Sequence, residues 1–583
     1  MAALDWLIII GCFAISLAIG TFFTRRGSRG ITEYFISGRN LPWWVLALSS
    51  VATYTDAGLA PAVTMWVYEG GLLGNGVWWI PYTIWMPLAA VLWSKYWRRL
   101  RTITTAELIE IRYGGRSAEI YRGIYAFFLS FGFITVLMGY VSGWLSAALK
   151  PVLGWTPLEL IVFAGLITLI YTTLSGLYGV AYTDVFQFFI FLLGNIIFIP
   201  VLLSKVGGMG SVYSGIQALR GSETSEFFKV ALPAGNLTSL TILAFSVQGL
   251  FFAASPTGGE GFTAQRFMAA KNEFHAQVGQ LFNTVFTLII RVIPFLFLGL
   301  IAASVFAPGS ISEPGEVWAA LVSRFSPPVL KGLIVAGILS AYMSTISTEM
   351  NWGASYIVHD LYSRFIRPGA SPEHYVLVGR IASVLIFLMS LFVAYYFVQG
   401  MKAWFLFINS VVFAFILPLS WLRFFWWRLN IYGEASALIL GLPLGYLIWF
   451  PFGFSNEAAH PFWQGFLLLF GTGFLTAVTV SLLTPPESSS TLLNFYKKCR
   501  PPGVWGPISA ELSIREKIKV KKETLNDLLD CGLGIIFCAA TILSIISILG
   551  KHYNIFAWSL MITAVSTIFF FKRWTQKGIF RNL

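Results

Sequence analysis

Ala341, Ser344 and Thr345 fall at i, i+3 and i+4 of an apolar stretch long enough to cross a bilayer. One helix face there carries two hydroxyl oxygens beside a small residue. Hydrophobic packing gives no reason for that arrangement at mid-membrane. A desolvated small cation does, because it takes oxygen ligands and a small neighbour leaves it room to approach. The competing reading is that the hydroxyls bond to their own backbone or to an adjacent helix. The residues alone leave both open.

Three charges lie within or beside apolar spans. Asp56 follows the run Ser49-Ser50-Val51-Ala52-Thr53-Tyr54-Thr55 at the middle of the second span. Glu260 lies in Ser255-Pro256-Thr257-Gly258-Gly259-Glu260-Gly261, where proline and clustered glycine should end a helix. Arg291 sits between Phe286 and Pro294. A charge facing lipid is costly, so these should face the bundle or a cavity. They suit a zwitterionic or anionic solute whose carboxylate Arg291 takes. They equally suit an internal Arg–acid pair that never touches solute, the reading we favour. Trp78 and Trp79 are candidates to line such a pocket, with belt or core packing as the alternative. His359 and Asp360 read as helix-end caps.

These groups need helices to hold them, and composition supplies the setting. The 583 residues are 57% hydrophobic and 11% charged, with mean hydropathy +0.74. A soluble domain carries about 25% charged residues, so the chain reads as an all-α polytopic membrane protein. The net charge of +13 is dispersed in short loops between apolar spans. It forms no continuous basic patch, which argues against a nucleic-acid partner and for the lipid bilayer as the surrounding medium. Four cysteines, Cys12, Cys499, Cys531 and Cys538, show no metal spacing and no disulfide framework.

Apolar spans fall at about 3–23, 43–68, 72–97, 121–149, 157–175, 180–203, 236–257, 276–306, 328–358, 376–399, 402–424, 432–453, 463–484, 528–550 and 553–572, roughly fifteen in all. The first lacks the positive leader and cleavage site of a signal peptide and reads as a transmembrane helix. Basic residues concentrate in alternate loops, among them Arg25, Arg26, Arg98, Arg99, Arg266, Lys271, Arg423 and Arg428. That bias sets the N-terminus outside and the C-terminus in the cytoplasm of an inner or plasma membrane. Two spans look interrupted, at Ser49–Gly58 and at Ser255–Gly261, five spans apart. Interrupted helices in corresponding positions of two halves point to a transporter binding site.

Several separated stretches then carry a resemblance. They are Glu33-Tyr34-Phe35 through Gly38-Arg39-Asn40-Leu41-Pro42-Trp43-Trp44; Thr104-Thr105-Ala106-Glu107 through Arg112-Tyr113-Gly114; Ser175-Gly176-Leu177-Tyr178-Gly179-Val180-Ala181-Tyr182-Thr183-Asp184-Val185-Phe186-Gln187; and Gln265-Arg266-Phe267-Met268-Ala269-Ala270-Lys271. In this order and spacing the chain resembles the sodium:solute symporter family of sodium-coupled sugar, proline, pantothenate and sialic acid carriers, over about residues 30–430. The resemblance implies a leucine-transporter-type fold, two inverted five-helix halves with alternating access around a midplane site. It implies sodium as the co-transported ion, held by backbone carbonyls of Ala52 and Thr55 and by Ala341, Ser344 and Thr345. It also puts Asp184 on the sodium path toward the cytoplasm, although an acid favouring a helix start accounts for it as simply.

The sugar carriers of that family bring aromatic and amide side chains to the second interruption. This chain has Ala253, Ala254, Ser255, Pro256 and Thr257 there, which argues against a standard sugar pocket. Asp56, Trp78, Thr257, Glu260 and Arg291 are the candidates for solute contact. The expected organisation is an extra N-terminal helix and loop (1–42), a transport core (43–430), two further helices (431–484), a basic cytoplasmic linker (485–527) and a C-terminal hairpin (528–583). The expected function is sodium-coupled import of a small organic solute, with no enzymatic activity. The alternatives are a polytopic solute sensor and a membrane-embedded transferase. The five histidines do not cluster within spans as a transferase would need, and the 485–527 segment is too short for a signalling domain.

Overall fold

The helix Trp43–Tyr54 stops at Thr55 and resumes as Leu59–Gly70. The Asp56 carboxylate accepts the Gly58 N–H at 2.9 Å, offering the backbone an alternative to the helical ladder. The interruption expected in the second span is therefore in place. The second also forms: Ser239–Phe252 ends, and Phe262–Ala269 starts after Gly261 at φ +77°. A computed structural model describes the chain apart from residues 234–236, 254, 256–257, 397–415, 455–459 and 583.

Among the described residues ten helices are long and apolar enough to cross a membrane, fewer than the roughly fifteen spans expected. Two expected spans, 157–175 and 180–203, join into one helix, Pro157–Val206, turned at Gly176. Gly176 has φ +60°, and a Cβ there would sit 2.3 Å from the Tyr34 carbonyl oxygen. Only glycine satisfies both conditions. Glu273–Val285 runs into a widened turn, Phe286–Ile290, closed by the Arg291 N–H on the Phe286 carbonyl at 3.0 Å. That wide turn sets the direction of Arg291.

Leu330–Ser355 is the central helix, buried along nearly its whole length and packed on Pro157–Val206, Ala3–Phe22 and Pro372–Tyr396. A helix buried on all sides and still carrying Ser344, Ser347, Thr348, Glu349 and Asn351 must find partners for its polar groups inside the bundle. The span expected at 402–424 falls partly outside the described residues and ends as Ile416–Phe425.

Two C-terminal segments and one residue pair complete the fold. Ser489–Cys499 packs Leu492 and Phe495 into the protein, and Arg99 donates to the Cys499 carbonyl at 3.0 Å, so this part of the 485–527 segment is docked on the bundle. The C-terminal hairpin starts early, because Ser513 and Glu516 cap a helix running Ile514–Leu549 before Tyr553–Gln576 returns. His359 and Asp360 are not caps: Asp360 accepts from Arg122 at 2.6 Å and Thr104 at 3.0 Å, and His359 lies 2.8 Å from Glu107.

Candidate solute and ion site

The two faces that meet at the break are rich in oxygen. The Ala52 carbonyl accepts the Thr55 N–H at 3.0 Å, which leaves it a second lone pair. Across from it, the Thr345 hydroxyl donates to the Thr53 carbonyl at 2.9 Å and lies 3.3 Å from the Ala341 carbonyl. The Ser344 hydroxyl is buried and has no hydrogen-bond partner among the described residues. Ser344 adjoins the Asp184 carboxylate, whose Oδ1 also lacks a partner. Thr345 therefore does bond to backbone, its own and the facing helix's, while Ser344 keeps its lone pairs available.

Asp184 is tied from the other side. Its Oδ2 accepts the Ser49 hydroxyl at 2.6 Å and Arg266 Nη2 at 3.1 Å. The same guanidinium donates to Thr53 Oγ1 at 2.7 Å, Thr348 Oγ1 at 2.8 Å and the Ser49 hydroxyl at 3.0 Å. One arginine thus fastens three helices, Trp43–Tyr54, Pro157–Val206 and Leu330–Ser355, at a fully buried point. The charge pattern had put Arg266 and Arg423 in cytoplasmic loops. Both are instead buried, because each has a carboxylate to receive it: Asp184 for Arg266, and Glu260 and Glu434 for Arg423.

A cavity opens above this junction, lined among others by Tyr54, Asp56, Trp78, Tyr82, Tyr140, Gln248, Phe252, Arg291, Thr345 and Glu349. Of the sequence candidates for solute contact, Asp56, Trp78 and Arg291 line it together. Glu260 does not: it accepts from Arg423 at 3.0 Å and from the Tyr125 hydroxyl at 3.1 Å. Thr257 lies outside the described residues.

Arg291 lines the cavity but does not form the close Arg–acid pair favoured for it. Its guanidinium donates to the Thr287 carbonyl at 3.0 Å, to the Tyr54 carbonyl, and to the Thr55 hydroxyl at 3.2 Å. It makes no ion pair within 4 Å among the described residues, with Asp56 close enough only for a longer-range attraction. Its position holds the unwound end of Trp43–Tyr54, whose carbonyls the helix no longer satisfies.

Glu349, Gln248, Tyr54, Tyr82 and Tyr140 were not singled out from sequence. Glu349 left a readable sign: it lies four residues beyond Thr345, on the face already chosen, inside an apolar span. The tyrosines left none among 23.

The sodium:solute symporter family model matches residues 34–441. A sodium/glucose cotransporter of Vibrio parahaemolyticus is 24% identical over 482 residues, covering 77% of this chain and 86% of its own length. A sodium/sialic acid symporter of Proteus mirabilis is 24% identical over 400 residues, covering 66% of this chain and 76% of its own. The structure of a Na⁺-coupled sialic acid symporter in a substrate-bound outward-open state superposes with TM-score 0.69 at 20% identity, over 84% of this chain and 99% of that one. The architecture is thus the leucine-transporter-type fold, and the motif stretches act largely as its fasteners. Gly176 permits the turn under Tyr34, Gln265 bridges Phe35 and Asn351, and Arg112 donates to the Arg423 and Trp426 carbonyls.

Proposed function

The chain belongs to the sodium:solute symporter family, and from that premise we propose that it imports a small organic solute by alternating access, with sodium as the co-transported ion. The ion is held between the break and the central helix, by the carbonyls of Ala52, Thr55 and Ala341 and the hydroxyls of Ser344 and Thr345. The observation that carries this reading is the Ser344 hydroxyl, buried without a partner next to Thr345, which bonds the turn before the break. A buried polar group in that condition is costly unless something fills its coordination. Asp184, with an unpartnered oxygen beside Ser344, is the next acceptor on the ion's way to the cytoplasm.

The solute occupies the cavity above, against Asp56, Trp78 and Arg291. The N-terminus is outside and the C-terminus cytoplasmic, following the basic-residue bias. Sodium drives import by binding one conformation more tightly than the other, and it can bias the equilibrium only by that difference. The test is a thermal-shift measurement of the purified chain against a library of small solutes, with and without sodium. Solutes that stabilise the protein only when sodium is present support the coupling. Solutes that stabilise it equally in both conditions refute it.

A further inference from the structure

We propose that the transported solute carries an ammonium group, and that Glu349 is the residue that receives it. This rests on the symport reading of the same cavity and names the chemistry of its occupant.

Glu349 is 1% exposed, lines the cavity, and has Oε2 without a hydrogen-bond partner. No hydrogen bond or ion pair to its carboxylate occurs among the described residues. A carboxyl group desolvated to that degree is held ionised only by a countercharge. The neighbouring cations are committed elsewhere. Arg266 acts on Glu349 only at longer range, and its hydrogen bonds go to Asp184, Ser49, Thr53, Thr348 and the Phe262 carbonyl. Arg291 directs Nε and Nη1 at the Thr287 and Tyr54 carbonyls and the Thr55 hydroxyl.

The charge count points the same way. Counted as ionised, Asp56, Asp184 and Glu349 outnumber Arg266 and Arg291 in this region by one. With Asp184 paired to Arg266, the excess lies at the cavity wall, between Glu349 and Asp56. The remaining lining suits a cation as well. Tyr54, Trp78, Tyr82 and Tyr140 present aromatic rings, whose faces attract ammonium groups. A neutral polyol would find hydrogen-bonding side chains here, but it would leave the unpartnered Glu349 carboxylate without a countercharge.

The test uses the full-length purified chain in saturating sodium and matched probe pairs of one shape. Choline is compared with its neutral carbon isostere 3,3-dimethylbutan-1-ol, and proline with cyclopentanecarboxylic acid. Glucose is the polyol control. Binding is followed by thermal shift and calorimetry in the wild type, in Glu349→Gln and in Glu349→Asp. The expected result is that an ammonium member of a pair binds and its isostere does not. Glu349→Gln should weaken that binding roughly thirtyfold or more, the usual scale for losing one partner of a buried charge pair, and Glu349→Asp should restore part of it. If Glu349→Gln proves too unstable to measure, the contrast within each pair in the wild type decides.

Equal binding of an ammonium probe and its isostere, preference for glucose, or no binding by either ammonium probe overturns the proposal. So does a Glu349→Gln protein that keeps full ammonium affinity. A Glu349→Gln protein whose sodium affinity falls with no solute present assigns the carboxylate to the ion and equally overturns it. A neutral solute that binds in a sodium-dependent manner defeats this inference while leaving symport intact. Binding that ignores sodium for every probe defeats the symport reading itself.

Discussion

The Thr345 hydroxyl donates to the Thr53 carbonyl at 2.9 Å, so the central helix is bonded directly to the last helical turn before the break. Beside it Ser344 has no such bond. The two hydroxyls therefore differ in what they do without an ion, although sequence treats them alike.

Ser344→Ala should accordingly act on sodium alone. It removes one oxygen from a site with few, lowering apparent sodium affinity roughly tenfold or more, with little change in melting temperature. Thr345→Ala should lower both, since it also strips the Thr53 carbonyl of a donor. Sodium titrations of solute binding, read beside melting curves, separate the two. Equal effects of both variants on stability would contradict the assignment.

Arg266 is a buried tie among three helices. Arg266→Gln leaves the Asp184 carboxylate buried without its cation, at a cost of about 3–5 kcal/mol. The pair Arg266→Gln with Asp184→Asn removes both charges and should recover much of the melting temperature. Failure of the double variant to recover would mean that Arg266 acts through its bonds to Thr53 and Thr348 rather than through the charge pair.

Replacing Arg291 by Gln should unfasten the break rather than expose an unpaired acid. The Tyr54 carbonyl and Thr55 hydroxyl lose a donor, costing about 1–3 kcal/mol, and sodium and solute affinity should fall together because both sites share that turn. Arg291→Lys should keep part of both. Rescue of Arg291→Gln by Asp56→Asn would instead indicate an internal ion pair.

Gly176→Ala is expected to abolish folding. The dihedral alone costs about 1–3 kcal/mol, and the new Cβ would meet the Tyr34 carbonyl at 2.3 Å, which no rotamer change relieves. Normal expression and melting of this variant would show that the turn in Pro157–Val206 is not needed.

Hydropathy made the spans legible because lipid demands long apolar helices, and the i, i+3, i+4 spacing made the Ala341–Ser344–Thr345 face legible because helix geometry is local. The interruptions were readable from Asp56, Gly58, Pro256 and the glycines for the same reason. Contacts between distant segments were not. Arg291 meets Tyr54 across 237 residues and Arg266 meets Asp184 across 82, so no local pattern distinguishes their partners. Arg266 and Arg423 read as loop charges because counting basic residues cannot detect a buried carboxylate elsewhere in the chain. Glu349 was legible in principle, as an acid one turn beyond Thr345 on the same face.

Solute movement through this chain should be coupled to sodium. The most direct measurement is uptake into proteoliposomes of a solute found by the thermal-shift library, under an inward gradient of sodium, lithium or protons in turn. Expected are concentrative uptake with the sodium gradient, its collapse when that gradient is dissipated, and a shift to higher sodium concentrations in Ser344→Ala. Uptake that proceeds at the same rate without sodium, or that follows a proton gradient alone, would contradict it.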